Sequence, residues 1–215
     1  MAAPIADQLA AVQAEMRTRP AGLVAHVERV AAEALALAAR WDLDAERVTL
    51  SVWGHDLFRH ASEPEQLKLA AQAGVPIDPA DRRAPIVLHG PTAAAVLSAR
   101  FGVLDGEVLD AIRQHTLGAG NMSLIAKTLL IADKIETAKR RRDPHLGMIR
   151  EAARRDLDLA LLCWADLKWV EERDHGWQSH RGHWLARAAW IREHHLDMAM
   201  PGRVDEATFE AATGE

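Results

Sequence analysis

The chain has 215 residues, 49% apolar and 27% charged, enough for one sizeable core and short for two independent domains. With 26 basic residues against 31 acidic ones the net charge is −5, which argues against the sequence-independent electrostatic grip that binding to DNA requires. A single cysteine, Cys163, rules out an intramolecular disulfide and a cysteine-based zinc site, and fits a reducing compartment. About forty alanines, no tyrosine and three phenylalanines favour helix over sheet, so an all-α fold is expected.

Residues 1–20 are read as an N-terminal segment ahead of a single domain over 21–200, with 201–215 as a flexible tail. Val24, Val27, Val30, Ala31, Ala34, Ala38 and Trp41 recur three or four apart and predict an amphipathic helix over 21–41. Asp44 is the expected N-cap of a helix running to about His60. Val75-Pro76-Ile77-Asp78-Pro79 and Pro85 predict a loop before a helix from about His89 to Phe101. A further helix is expected over about 105–114, broken by Leu117-Gly118-Ala119-Gly120-Asn121. Ser123 then opens one that passes Ile125, Leu129, Ala132 and Glu136 and ends in the basic run Lys139-Arg140-Arg141-Arg142. Two more are expected, over 145–173 with a break near Asp156 and over 181–199. The apolar stretches are short and interrupted by Arg, Asp or Glu, and no basic segment followed by an apolar one begins the chain. A cytoplasmic protein with no membrane contact is therefore expected.

Chemistry enters with the eleven histidines, several on expected apolar helix faces or at helix ends. The sharpest case is His55-Asp56, after Leu50, Val52 and Trp53. Neighbouring helical residues point about 100° apart, so both can serve one metal ion only if other ligands arrive from elsewhere. His26, His89, His115 and Asp133, the last inside Leu-Leu-Ile-Ala-Asp-Lys-Ile, supply candidates in chain order. Each alone reads as readily as an ordinary helix residue, and Asp133 as a buried partner of Lys134 or Arg113. The ordered set is what points to metal: four imidazoles and two carboxylates suit iron, manganese or zinc.

Leu88-His89-Gly90-Pro91, Ala111-Ile112-Arg113-Gln114-His115-Thr116-Leu117-Gly118, Asn121-Met122-Ser123-Leu124 and Ile131-Ala132-Asp133-Lys134-Ile135-Glu136 together resemble the bacterial HD-domain phosphohydrolases. Within these the likeness is to the symmetrical diadenosine tetraphosphatases of the YqeK type, over about residues 20 to 190. The resemblance implies an HD-domain helical bundle holding two metal ions, iron first, with manganese or zinc as alternatives. His26, His55, Asp56 and Asp133 would hold one ion, and Asp56 would bridge to a second held by His89 and His115. His55, Asp56, His89 and His115 would form the catalytic centre, one ion acidifying a water and the other neutralising the phosphate under attack. The implied reaction cuts a dinucleoside polyphosphate symmetrically and releases ADP. Arg59, His115, Thr116, Lys139 and Arg187 are the implied substrate contacts. A different nucleotide substrate, such as a nucleoside monophosphate or an alarmone, and a non-catalytic nucleotide-binding regulator are the alternatives. A homodimer is compatible with the sequence.

Departures from the family pattern fall among the substrate positions. Leu23 stands where relatives carry Arg, Val27 where they carry Thr, Arg59 and Lys139 where they carry Lys and Arg, and Ala188 where they carry Asn. Arg and Lys are not equivalent toward phosphate, so weaker contacts to a long substrate are expected. Trp164, Trp169, Trp177, Trp184 and Trp190 are read as core or interface packing rather than base stacking. His175, His180 and His183, with His194-His195 beyond, are read as polar surface.

Overall fold

A computed structural model of the chain describes residues 3–195. Among these the architecture is all-α. In chain order the helices are α1 (Ile5–Met16), α2 (Ala21–Arg40), α3 (Ala45–His55), α4 (Glu63–Gln72), α5 (Pro79–Arg83), α6 (His89–Phe101) and α7 (Gly106–Gln114). They continue with α8 (Leu124–Ile135), α9 (Thr137–Arg142), α10 (Leu146–Arg155), α11 (Leu157–His175) and α12 (Arg181–His195). A single 3-10 turn, Pro85–Leu88, leads into α6. The expected tail from 201, and residues 196–199 of the last expected helix, lie outside the described residues.

Helix α8 is apolar nearly all round. Ile125, Leu129, Leu130, Ile131 and Ile135 are buried, so it runs through the middle of the bundle against α2, α7 and α11. The N-terminal segment also belongs to this core: α1 packs on α3, and Val12 and Met16 are fully buried in the same cluster as Val52 and Leu129. An unbroken core therefore starts before residue 21, which the expected domain boundary missed because α1 buries only a narrow stripe.

Four other expectations change, one being that the loop expected ahead of His89 holds the short helix α5, capped by Asp78, and the 3-10 turn. The helix capped by Asp44 stops at His55 rather than about His60, with Asp56 as its C-cap. Turns follow, and α4 fills a stretch with no expected helix. Its start is marked by Pro64 in the first turn and by Ser62, whose N–H donates to Glu65 Oε2 at 2.9 Å. The helix from Ser123 does not run into the basic run. It breaks at Glu136, whose backbone is extended and whose carboxylate accepts from the N–H groups of Ala138 and Lys139 to start α9. At Asp156 the expected break is present, its side chain capping α11 through Asp158 and Leu159.

The C-terminal tryptophans divide. Trp164 and Trp190 are buried, and Trp190 Nε1 donates to the Ala119 carbonyl at 2.7 Å, whereas Trp169, Trp177 and Trp184 are exposed. Of the three histidines read as surface, only His175 is exposed. His183 is buried 5.0 Å from the Trp164 ring, and His180 Nε2 faces Asp81 Oδ1 at 3.2 Å, linking α5 to the start of α12.

Candidate active site

Four helix ends converge at one end of the bundle. His55 closes α3 and Asp56 caps it, His89 opens α6, and His115 is the C-cap of α7. Asp133 lies near the end of α8, and His26 in the second turn of α2. Asp56 is central. Its Oδ2 lies 3.6 Å from His26 Nε2 and 3.5 Å from His55 Nε2, and its Oδ1 lies 3.1 Å from His89 Nε2 and 3.6 Å from His115 Nε2. The donor atoms form two groups, His26 with His55 and Asp56, and Asp56 with His89 and His115, each within 4.8 Å of one another. Asp133 Oδ1 stands 3.1 Å from His26 Nε2, beside the first group.

Hydrogen bonding shows that these residues fit a cation. His55 Nδ1 donates to the Val52 carbonyl at 2.6 Å, His115 Nδ1 to that of Ile112 at 2.7 Å, and His89 Nδ1 to that of Ile86. With Nδ1 carrying the proton, each Nε2 presents a lone pair. His55 Nε2 is buried with no hydrogen-bond partner, and the Nε2 atoms of His89 and His115 face one another at 2.9 Å. Two lone pairs at that separation repel, and an unpaired buried nitrogen is costly, so the arrangement is relieved by a positive ion.

Charge states agree. Burial pushes His115 down to about 3 and lowers His55 as well, which keeps both in the neutral, metal-binding form. Burial works to raise Asp56, but a proton on the surrounding His55, His115 and His89 imidazoles holds it well below the usual carboxylate range, and a cation bound among neutral imidazoles would favour its charged form in the same way. Burial likewise opposes ionisation of Asp133, and Lys134, Lys139 and His26 overcome it. Both aspartates therefore favour the anionic form, as a cation site requires.

Around them lies a cleft of about 470 Å³ whose walls include Arg59, Thr116 and Lys139 as well as His115. Thr116 Oγ1 is 3.1 Å from His115 Nε2, and Lys139 Nζ is 2.7 Å from both Asp133 Oδ1 and the Asp133 carbonyl oxygen. Arg187 is not brought to this cleft. Its guanidinium donates to Asp166 Oδ1 at 2.8 and 2.5 Å and shares a separate crevice with Trp169 and Trp184. The reason is the placement of α12 against α11, which pairs the two residues across the helices. Leu23 does line the cleft, so the departure from Arg falls on a wall of the site.

Two residues that sequence reasoning did not assign, Lys134 and Glu136, belong to the surroundings of the site. Lys134 Nζ lies 2.7 Å from Asp133 Oδ2, a pairing weighed above only as an alternative to metal binding. Glu136 is 1% exposed, accepts from Arg29 Nε at 2.6 Å, and places Oε1 3.7 Å from His26 Nδ1. Its position directly after Ala-Asp-Lys-Ile was visible, but its capping of α9 depends on a helix break that no proline or glycine announces.

No family model matches the chain. It is 31% identical over 137 residues to the symmetrical bis(5'-nucleosyl)-tetraphosphatase of Bacillus subtilis, covering 64% of this chain and 72% of that relative. The chain belongs to the symmetrical bis(5'-nucleosyl)-tetraphosphatase family. A Staphylococcus aureus protein of the same description is 34% identical over 128 residues, 60% of this chain and 64% of its own length. Among solved structures, an HD superfamily hydrolase from Clostridium acetobutylicum described as involved in NAD metabolism superposes with a TM-score of 0.79 and 27% identity. The match covers 85% of this chain and 96% of the other. The tetraphosphatase-family chain is thus an all-helical HD hydrolase with a site suited to divalent metal. None of its described helices is long and apolar enough to cross a membrane.

Proposed function

We propose that this chain hydrolyses diadenosine tetraphosphate at the centre of its phosphate chain, giving two ADP. The observation that carries the reading is the carboxylate of Asp56, one oxygen turned to His26 and His55 and the other to His89 and His115. A single carboxylate so divided is what a two-ion phosphohydrolase centre needs. His26, His55, Asp56 and Asp133 would hold one ion, and Asp56, His89 and His115 the other. Bound there, two divalent ions supply Lewis-acid chemistry, acidifying a water and neutralising phosphate oxygens.

The chain's own residues do the rest. The carbonyls of Val52, Ile86 and Ile112 fix the tautomer and direction of three imidazoles, so the ligands are organised before substrate arrives. Lys134, Lys139, Arg59 and Thr116 face the cleft and meet the negative charge of the phosphate chain. Overall, water oxygen joins one central phosphorus, the bridging oxygen leaves on the other ADP, and protons go to solvent. Four imidazoles and two carboxylates with no thiolate suit iron, with manganese or zinc as alternatives. The same reading places the protein in the cytoplasm, acting on a free nucleotide rather than on DNA.

The test is chromatography of products from metal-loaded protein incubated with dinucleoside polyphosphates of several lengths, nucleoside monophosphates and guanosine tetraphosphate. ADP as the sole nucleotide product from diadenosine tetraphosphate is expected. ATP with AMP would refute symmetrical cleavage, and phosphate release from monophosphates alone would favour the alternative substrate class.

A further inference from the structure

Three of the four imidazoles around Asp56 are aimed by their own stretch of chain, each Nδ1 donating to the carbonyl three residues back. His26 has no such support. It lies in the second turn of α2, where the carbonyls behind it are engaged in the helix's own hydrogen bonds. Its ring stands instead between two carboxylates from the C-terminal end of α8. Asp133 Oδ1 is 3.1 Å from Nε2, and Glu136 Oε1 is 3.7 Å from Nδ1, a charge contact rather than a formed hydrogen bond.

Glu136 is buried and held in this place from two directions. Arg29, three residues after His26 and so on the same face of α2, donates Nε to Glu136 Oε2 at 2.6 Å. The N–H groups of Ala138 and Lys139 donate to the same carboxylate at 2.8 and 3.2 Å. Capping α9 does not by itself call for a buried acid, because Asp44 and Asp156 cap α3 and α11 through exposed side chains. What burial and the arginine add is a fixed negative charge beside His26 Nδ1.

We propose that Glu136 is a positioning residue for His26, keeping the ring proton on Nδ1 and Nε2 turned toward Asp56 and Asp133. The inference rests on the metal-centre reading above and adds the support of its fourth imidazole. With a cation among Nε2, Asp56 and Asp133, Nδ1 is the one remaining place for the ring proton, and an anion beside that N–H orients the ring and makes it a stronger ligand. One short segment thus supplies a ligand, Asp133, and three residues later the group that aims another.

Zinc-loaded protein is titrated with a chelator of known affinity while the histidine ring nitrogens are followed by NMR, so that His26 and His55 report one group of ligands and His89 and His115 the other. Loaded protein is expected to show His26 bound through Nε2 with its proton on Nδ1. Glu136→Gln keeps the size of the side chain and removes its charge. Zinc affinity at the His26–His55 group should then fall about 10- to 100-fold, the usual loss when a ligand is deprived of its partner, with the His89–His115 group unchanged. Arg140→Ala separates aiming from capping: it loosens α9 by removing the donation to the Ile135 carbonyl at 2.7 Å and the pairing with Glu33, but leaves Glu136 in place. Wild-type zinc affinity at both groups is expected in it. Equal affinity in wild type and folded Glu136→Gln overturns the inference, and so does a matching loss in Arg140→Ala. If circular dichroism shows that Glu136→Gln does not fold, the unmodified protein decides. A proton on His26 Nδ1 in the zinc-loaded protein supports the assignment, and a ring bound through Nδ1 or protonated on Nε2 overturns it. Zinc held by neither group brings down the two-ion reading as well, whereas zinc held by both with Glu136→Gln indifferent removes the positioning role alone.

Discussion

At His55, His89 and His115 the same local device recurs: an imidazole at a helix end folds back on the carbonyl three residues earlier and so presents its other nitrogen. The arrangement is only useful if the three lone pairs meet a cation, and the Asp56 carboxylate lying among them would share in holding it. Asp56→Ala is therefore expected to leave the protein with close to no bound metal and no turnover, since it removes ligands from both ions and leaves like charges facing one another. His175→Ala, at an exposed ring stacked 4.5 Å from Trp177, is expected to change neither. Elemental analysis of the two purified variants checks this, and normal metal content in Asp56→Ala would refute the bridging assignment. Gly90 gives a second test. A Cβ there would sit 2.8 Å from the Ile112 carbonyl oxygen and 3.0 Å from His115 Cε1, wedging the hydrogen bond that orients His115. Gly90→Ala should weaken metal binding roughly 10- to 100-fold, as expected when a ligand loses its orienting partner. Metal titration with circular dichroism as a folding control reads the effect.

Helix ends also tie the site to the scaffold. Asp105 caps α7 through the N–H groups of Glu107 and Val108, and Arg47 from α3 forks onto its carboxylate at 2.6 and 2.8 Å. One residue thereby anchors the helix ending at His115 to the helix ending at His55. Asp105→Ala should cost about 1–2 kcal/mol in a urea melt at neutral pH, the usual range for a lost cap. Hydrogen bonding to Arg47 holds Asp105 below its ordinary value against the opposing effect of burial. Its contribution is present above the unfolded carboxylate value, about 3.9, and is lost as pH falls through the lower folded value. The gap between wild type and Asp105→Ala should accordingly narrow in acid. A gap that grows on acidification would show that the carboxylate is not what stabilises the junction.

On the scale of the whole molecule, α1 extends the core that the ligand helices share. Met16 is fully buried in it, and α1 packs directly on α3, the helix that ends in His55. Met16→Ala should destabilise by about 2–5 kcal/mol, the usual cost of emptying that much buried volume. A midpoint shift in urea without a change in slope is the expected signature. A loss below about 0.5 kcal/mol would mean that α1 is an accessory, as the expected boundary at residue 21 had it.

Composition and periodicity determined the helical class and the positions of most helices, because alanine content and three-to-four spacing are local properties that survive any packing arrangement. The order of His26, His55, Asp56, His89, His115 and Asp133 was legible too, since each stands at a helix end or on an apolar face where an ordinary polar residue is costly. The division of Asp56 between two groups of imidazoles was implied by the resemblance and has its distances from the packed chain, whereas tertiary structure alone decided the diversion of Arg187 to Asp166 and the break at Glu136. It also decided the inclusion of α1 in the core. Those features depend on which helices meet and at what distance, and residues as far apart as Arg29 and Glu136 come within 2.6 Å only after the chain has packed. Sequence spacing carries no record of that approach, because long-range pairing is fixed by the shape of the whole core rather than by neighbouring residues.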